Sequence, residues 1–219
     1  MKNIILGIGG YTVDSSATLL IDGELIGSVN EERFTRKKHQ GGWPEHSIRY
    51  LIKLESLKLT DIDYVTFTYD PEIRLKKRLS YYFKNFFYNP YFILKYMLYE
   101  WNFVRKFKKK LFNFSNSSNS KIIYVKHHDA HAASAYYMSG FSKTAYYTLD
   151  WRGEWETTTS GTYVNSKLNQ LNSSEYPNSL GLFYNALTTY LESKDYNVVS
   201  FNNAEEFYSD NGQDFKGLY

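Results

Sequence analysis

The amino-acid sequence predicts an α/β fold built around a mixed sheet. Short aliphatic runs alternate with turn signals in the first thirty residues, and an amphipathic helical pattern then leads into a further aliphatic run. The chain of 219 residues, 42% of them hydrophobic, is long enough to bury a substantial core. These observations predict a globular α/β domain.

Three consecutive antiparallel strands are predicted at the start of the chain. Residues 3–8 and 16–21 are short runs rich in large aliphatic side chains, and a stretch containing Gly, Tyr, Thr and Asp separates them as a tight turn. Asp22-Gly23 is a strong two-residue hairpin signal, and it leads into a third strand over 24–29.

A helix and a fourth strand follow the hairpin. Pro44 lies in the first turn of the helix, where its missing N–H has no partner to lose. Apolar residues then recur at roughly helical spacing, at Ile48, Leu51, Ile52, Leu54 and Leu57. Residues 63–69 predict the next strand. This order of strand, hairpin, helix and strand is typical of the opening of an actin-like or sugar-kinase-like domain.

Residues 72–114 predict a helical insertion that is both basic and aromatic. Eleven Lys and Arg residues are interspersed with Tyr, Phe and Trp, against only Glu72 and Glu100. Three interpretations are open: a hairpin with an aromatic face packed on the domain and solvated cations, a lid over an anionic substrate, or a membrane-surface or nucleic-acid-binding helix. The polar run 113–120 predicts a flexible loop that closes the insertion.

The second half of the chain predicts further strands and helices. A buried strand over 121–126 precedes an Ala-rich helix that begins at His127, and 144–150 predicts the following strand. Weaker strand patterns cover 160–164 and 168–171.

The last predicted helix covers 178–191. Its apolar residues are expected to face inward, and they are Leu180, Phe183, Tyr184, Leu187 and Leu191. Residues 194–219 are polar and acidic, which predicts a poorly packed tail. One domain is therefore expected over 1–193.

The composition excludes several kinds of protein. The absence of cysteine excludes a disulfide scaffold and a Cys-ligated metal, and it suits a reducing cytoplasm. A net charge of +3 gives no reason to expect nucleic-acid binding. The N-terminal segment differs from a signal peptide, and no apolar run approaches the roughly 20 residues of a membrane-spanning helix. A cytoplasmic protein with no membrane span is therefore expected.

A pair of histidines predicts a metal site. His127 and His131 lie four residues apart at the start of a helix, so their imidazoles project from one face and can reach a single ion. Asp150 ends the following strand, where open α/β sheets place ligand-binding groups. The alternative is that both histidines cap the helix or satisfy polar groups in the core. His128 points elsewhere and is expected to be structural.

Three loops carry further candidate binding groups. The cluster of Arg33, Lys38 and their basic neighbours follows the third strand and is suited to clamping a phosphate, although such a run is often only solvated. The first turn, which contains Thr12 and Asp14, is suited to a nucleotide phosphate but is no Walker A loop. The turn over 150–155 suits phosphate or metal, or else holds an ordinary Arg–Glu surface pair.

Taken together, these segments resemble the O-carbamoyltransferase family that includes nodulation and antibiotic-tailoring enzymes. The resemblance covers roughly residues 1–70 and 121–193. The residues that carry it are Ile5 to Ile8, Asp14 to Leu20, Asp22 to Glu24, Glu31 to His39, His127 to Ala135, Asp150 with Gly153 and Glu154, and Ser179 to Gly181.

The resemblance implies an actin-like fold in which His127, His131 and Asp150 bind a divalent metal of the iron type. It also implies that a YrdC-like domain or partner chain makes carbamoyl adenylate from ATP and carbamoyl phosphate. The present domain would then transfer the carbamoyl group to the hydroxyl of a small-molecule acceptor. Lys38 and the metal would contact the phosphate or carbamoyl end, and a base near Asp14 would deprotonate the acceptor.

Two departures from the family pattern affect the expected activity. Family members often have a His before the Asp of the first turn, where this chain has Val13, so Asp14 is the expected substitute base. The chain also ends before the Gly-Glu segment and the YrdC-like domain expected downstream, as a truncated reading frame or one part of a split enzyme would. The alternative to an enzyme is a truncated, noncatalytic remnant that retains metal or nucleotide binding.

Overall fold

The computed structural model describes residues 2–10, 13–70, 72–73, 75–87 and 90–192. The chain divides into two compact units, Met1–Tyr124 and Val125–Tyr219. Within the described residues, no helix is both long and apolar enough to cross a membrane. The predicted tail, 194–219, lies outside the described residues.

A five-stranded mixed sheet forms the centre of the first unit, in the order β3-β2-β1-β4-β5. The β1–β2 and β2–β3 pairs are antiparallel, whereas β1–β4 and β4–β5 are parallel. The predicted mixed α/β class is therefore confirmed. The elements of this unit are β1 Ile4–Gly9, β2 Ser16–Ile21, β3 Glu24–Asn30, α1 Glu32–Thr35, α2 Glu45–Leu54, a 3-10 helix Leu59–Asp61, β4 Tyr64–Phe67, α3 Leu75–Phe86, α4 Pro90–Ser118 and β5 Lys121–Tyr124.

The core of the first unit follows the alternation of its strands. Every second residue of β1, β2 and β4 is buried, because successive side chains point to opposite faces of a strand. Helices α2 and α4 contribute Ile48, Leu51, Phe107 and Leu111 to this core. The Phe107 ring stacks on that of Phe67, with 3.8 Å between the centroids, and so fixes α4 to the sheet.

The polar segment before β5 was expected to be a loop, and this prediction is wrong. Helix α4 continues to Ser118, and the Ser118 side chain is buried. Its hydroxyl lies 2.9 Å from the carbonyl oxygen of Phe114, and Ser117 makes the same bond to Asn113. Serines that bond one helical turn back are tolerated in a helix, and Phe114 packs on the core of the unit. The helical insertion therefore extends four residues beyond its predicted end.

A three-stranded antiparallel sheet, in the order β6-β7-β8, lies in the second unit. The weak strand patterns correspond to strands of nine residues each. The central strand is Thr-rich, and the Thr157 and Thr159 side chains are buried and hydrogen-bonded. Satisfied hydroxyls make this burial tolerable, so a polar sequence forms a central strand. The elements are α5 His127–Ser139, β6 Lys143–Leu149, β7 Glu156–Val164, β8 Lys167–Glu175 and α6 Leu180–Glu192.

The inward face predicted for the last helix is wrong. Leu180, Phe183, Tyr184 and Leu187 are between 45% and 69% exposed. Helical periodicity identifies residues that share a face, but it does not determine whether another element covers that face.

Candidate metal centre

The structure brings the three predicted metal ligands together in the second unit. His127 and His131 occupy successive turns at the start of α5, and Asp150 directly follows β6. The His127 Nε2 atom lies 2.5 Å from Asp150 Oδ2 and 3.0 Å from His131 Nε2. The third side of this triangle, His131 Nε2 to Asp150 Oδ2, is 3.6 Å. One donor atom from each residue therefore converges on a single point.

The surroundings of Asp150 keep its carboxyl ionised. Burial alone would raise the pKa of this carboxyl, but hydrogen bonds from His127 and His131 and from the Trp151 N–H outweigh burial and hold the pKa well below its usual range. The Trp151 amide is 2.6 Å from Oδ1, so Oδ2 is the oxygen directed at the histidines. An anionic oxygen between two imidazoles is the state that a metal ligand requires.

Glu154 fixes the start of the ligand helix. Its buried carboxylate accepts the backbone N–H of His127 at 3.0 Å, at the N-terminus of α5. A carboxylate at this position satisfies a helix N–H that has no partner within the helix, and it also interacts favourably with the helix dipole. The alternative for this turn placed Glu154 at the surface, and that placement is wrong because the side chain is buried. Gly153 lies close beside it, and a Cβ there would be 3.0–3.1 Å from the His127 and His128 side chains, which would have to shift by a few tenths of an ångström.

The middle histidine of the run has a structural environment. His128 is 1% exposed, and its Nδ1 and Nε2 atoms lie 2.8 Å from Thr148 Oγ1 and 2.9 Å from the carbonyl oxygen of Glu156. Because a carbonyl can only accept, Nε2 carries the proton and Nδ1 accepts from the hydroxyl. Burial lowers the pKa of this imidazole more than its hydrogen bond to the Glu156 carbonyl raises it. The neutral side chain ties α5 to β6 and β7 and so orients its neighbours.

Ser179 and Gly181 hold the Asp150 loop from the other side. The Ser179 hydroxyl is 2.9 Å from the carbonyl oxygen of Trp151 and accepts the N–H of Leu182 at 3.1 Å, which caps α6. A Cβ at Gly181 would lie 2.8 Å from the Trp151 backbone, so only glycine permits this approach. The sequence identified Ser179 to Gly181 only through a resemblance, and the contacts supply the physical reason for these residues.

The three ligand groups fit a single divalent ion. A metal held at about 2.0–2.2 Å by imidazole nitrogen and carboxylate oxygen brings its ligand atoms to roughly 3 Å from one another. The separation of 3.0 Å between the two imidazole nitrogens matches this value. The separation of 2.5 Å between His127 and Asp150 is about half an ångström shorter, and that of 3.6 Å between His131 and Asp150 is about half an ångström longer. The side chains are between 28% and 50% exposed, so an ion can reach them. Three protein ligands also leave coordination positions for a substrate.

The predicted binding residues of the first unit form a second group. Asp14 Oδ1 lies 3.0 Å from His39 Nδ1, a hydrogen-bonded contact that the sequence did not predict. Lys38 lies 3.6 Å from Glu32 and is 68% exposed, and exposed Arg33 belongs to the same short helix as Glu32. Thr12 lies outside the described residues.

Glu31 organises the segment beside this group. The carboxylate is buried and lies within 3.0 Å of four donors, namely the backbone N–H groups of His46 and Ser47, the Ser47 hydroxyl and His46 Nδ1. Burial acts to raise the pKa of this carboxyl, but the four hydrogen bonds lower it overall. A glutamate between a strand and a charged run resembles a surface residue in sequence, so this role was not predicted.

Comparisons with known proteins identify related sequences over most of the chain. Residues 4–199 match the family described as carbamoyltransferase N-terminus. An uncharacterised protein of Synechocystis is 33% identical over 193 residues, which are 85% of this chain and 31% of that protein. The nodulation protein NolNO of Sinorhizobium fredii is 28% identical over 182 residues, or 81% of this chain and 25% of that protein.

A third relative and one solved structure complete these comparisons. An uncharacterised protein of Methanocaldococcus jannaschii is 28% identical over 192 residues, or 87% of this chain and 30% of that protein. The chain thus spans between 25% and 31% of the length of the three relatives. YeaZ from Pseudomonas aeruginosa superimposes with a TM-score of 0.44 and 14% identity, over 80% of this chain and 68% of that structure.

Proposed function

This chain belongs to the family of carbamoyltransferase N-terminal domains, and from that premise we propose that it transfers a carbamoyl group from carbamoyl adenylate to the hydroxyl of a small-molecule acceptor. The observation that carries the proposal is the convergence of His127, His131 and Asp150 on one point. In a carbamoyltransferase domain, a divalent ion of the iron type at that point would act on the carbamoyl donor.

His127, His131 and Asp150 would hold the metal, which when bound would supply Lewis-acid chemistry at an oxygen of the carbamoyl donor. The chain's own contribution is to keep Asp150 ionised, to hold His127 through Glu154, and to leave coordination positions open. These features support a metal site over histidines that merely cap a helix.

Cationic residues of the first unit would recognise the phosphate of the donor. The Lys38 ammonium is exposed and weakly paired with Glu32, so it can exchange this carboxylate for a phosphate at little cost. Arg33 offers a guanidinium suited to bidentate contact with a phosphate. Thr12 remains a candidate hydroxyl donor to the same group.

We assign the proton transfer to the His39–Asp14 pair. As the acceptor oxygen bonds to the carbamoyl carbon, the bond from that carbon to the phosphate oxygen breaks and AMP leaves with the electron pair. The hydroxyl proton passes to the His39 imidazole, which Asp14 orients through its 3.0 Å contact. His39 would thus replace the histidine that family members often carry where this chain has Val13.

Carbamoyl adenylate would come from a separate reaction. The described residues contain no Walker A loop, and the relatives are three to four times longer than the matched region. A YrdC-like domain or partner chain would form the adenylate from ATP and carbamoyl phosphate and deliver it to this domain.

Metal binding tests the first part of the proposal. Purified full chain is expected to bind one Fe²⁺ or Co²⁺ per chain, measured by elemental analysis and by anaerobic titration of the Co²⁺ visible spectrum. His127→Ala and Asp150→Asn should weaken binding at least 100-fold. His46→Ala is the matched control, because His46 is also accessible but lies outside the triad. Equal affinity in His127→Ala and the control would refute the site.

Carbamoyl transfer tests the second part. Release of AMP from synthetic carbamoyl adenylate is measured over a panel of hydroxyl acceptors, with and without an added YrdC-like domain. His39→Gln should slow release about 100-fold or more and Asp14→Asn by less, since general-base catalysis contributes about 10²–10⁴-fold. If a metal-loaded chain released no AMP under either condition, the chain would be a noncatalytic metal-binding protein.

A further inference from the structure

Helices α3 and α4 and the turn that follows α3 expose several large apolar side chains. We call it the hairpin stripe, and its residues are Phe83, Phe87, Tyr91, Leu94, Leu98 and Trp101. Phe87 is 82% exposed, Tyr91 79%, Phe83 75% and Trp101 70%. Isolated exposed apolar residues are ordinary, but a cluster of this kind indicates a surface that binds something.

Four members of the hairpin stripe lie along one side of α4. They follow the spacing i, i+3, i+7 and i+10, which aligns them along a single side of the helix. The two helices pack against each other. Tyr82 on α3 and Ile93 on α4 are each 5% exposed, so other faces of the pair are buried. The four α4 members therefore share an exposed face, and Phe83 and Phe87 are exposed at the end of α3.

Charge distinguishes the two helices from the rest of the chain. Residues 75–118 contain ten Lys and Arg and one acidic residue, Glu100, which is a net charge of +9. The whole chain has a net charge of +3, so the remaining residues sum to −6. Apart from Arg78, which is buried, these cations would attract an anionic surface to the helix pair.

We propose that the hairpin stripe docks onto the surface of an anionic lipid bilayer. Aromatic and leucine side chains beside Lys and Arg are typical of helices that lie in the interfacial plane of a membrane. Protein interfaces favour aromatic residues as well, but their buried centres are depleted in lysine. Stacking on nucleic-acid bases accounts for the aromatic rings but not for Leu94 and Leu98. No described helix can span a bilayer, so the contact is superficial.

The apolar and the cationic side chains of the helix pair suit different regions of a lipid bilayer. The rings of Phe83, Phe87, Tyr91 and Trp101 would enter the boundary between headgroups and acyl chains, whereas Lys84 and nearby cations would remain among the anionic headgroups. An enzyme held in this way would act on acceptors that lie at a membrane surface. This consequence rests on the proposed carbamoyl transfer, but the docking itself does not.

Vesicle binding by the full chain tests the proposal. Sedimentation with vesicles of phosphatidylcholine and phosphatidylglycerol in a 3:1 ratio is compared with pure phosphatidylcholine, at 0.05 and 0.5 M NaCl. We expect the partition coefficient to be at least tenfold higher with the anionic lipid and to fall at high salt. The tryptophan emission should shift to shorter wavelength on binding, and Trp101→Phe should remove most of this shift.

Two matched double variants distinguish binding through the hairpin stripe from nonspecific binding through any exposed aromatic residues. Phe83→Ser with Phe87→Ser should lower the partition coefficient at least tenfold. Phe183→Ser with Tyr184→Ser changes two aromatics on α6 that are 65% and 69% exposed. Helix α6 has no Lys or Arg, so this pair should leave the partition coefficient within twofold. The proposal is overturned if both pairs behave alike. It is also overturned if vesicles do not bind and the stripe variant instead dissociates an oligomer of the chain in light scattering.

Discussion

Replacing Glu31 by glutamine should destabilise the first unit by about 3 kcal/mol, although the two side chains have nearly the same shape. Its carboxylate is buried and accepts from two backbone N–H groups at the start of α2. In Glu31→Gln, one carboxylate oxygen is replaced by an NH₂ group, which cannot accept a hydrogen bond from the His46 or Ser47 N–H. If the amide oxygen stays with Ser47, then the N–H of His46 loses its acceptor.

The magnitude follows from three contributions. A hydrogen bond to a charged acceptor contributes about 1.5–3 kcal/mol, and one such bond from the His46 backbone is lost. The interaction of a carboxylate with a helix N-terminus adds about 0.3–1 kcal/mol. The His46 imidazole is 59% exposed and can turn to water, so its own bond adds little. The sum is close to 3 kcal/mol.

Urea unfolding and the exchange of α2 amide hydrogens measure this effect. Glu45→Gln is the control, because Glu45 lies in the same helix turn but is 51% exposed and pairs only with Arg49 at the surface. It should change the free energy of unfolding by no more than about 0.5 kcal/mol. Equal effects of the two substitutions would refute the assignment of Glu31.

The pH dependence gives a second measure of the same residue. Because the pKa of Glu31 is lowered in the folded state, its contribution is complete above the ordinary value of 4.5 and is lost as the pH falls through the folded-state value. The difference in unfolding free energy between wild type and Glu31→Gln should therefore shrink below pH 4.5. A difference that stayed constant down to pH 3 would show that the carboxylate charge is not what holds α2.

Two further predictions concern the second unit. His128→Leu should cost about 3 kcal/mol, because two buried hydrogen bonds are lost. Since the pKa of His128 is lowered in the folded state, the free energy of unfolding of the wild type should fall as the pH drops below 6.5. Urea titrations at several pH values should show that His128→Leu lacks this pH-dependent loss of stability. Glu154→Gln should weaken Co²⁺ binding about 10- to 100-fold by releasing the start of α5. The control Glu24→Gln, at an exposed position, should leave Co²⁺ binding unchanged. If Glu154→Gln and Glu24→Gln bound Co²⁺ with the same affinity, Glu154 would have no positioning role.

Much of the fold was predictable because local chemistry determines it. Asp22-Gly23 specifies a hairpin, and alternating aliphatic residues specify strands whichever partners they meet. The predictions failed where burial depended on a distant partner. The serines that end α4 appear as a loop in sequence, yet a buried network around Ser118 and Ser120 keeps them helical. The apolar face of α6 was assumed to be covered, which periodicity cannot establish.

The sequence by itself predicted which residues form the candidate site. The spacing of His127 and His131 places both imidazoles on one helical face, and Asp150 was located by its position after a strand. Only the tertiary structure decided what holds that site, because Glu154, Ser179 and Gly181 act through backbone contacts across distant turns. The same holds for the pairing of Asp14 with His39, residues 25 apart in sequence. Local rules fix what a side chain can do, whereas its partner depends on how the elements pack.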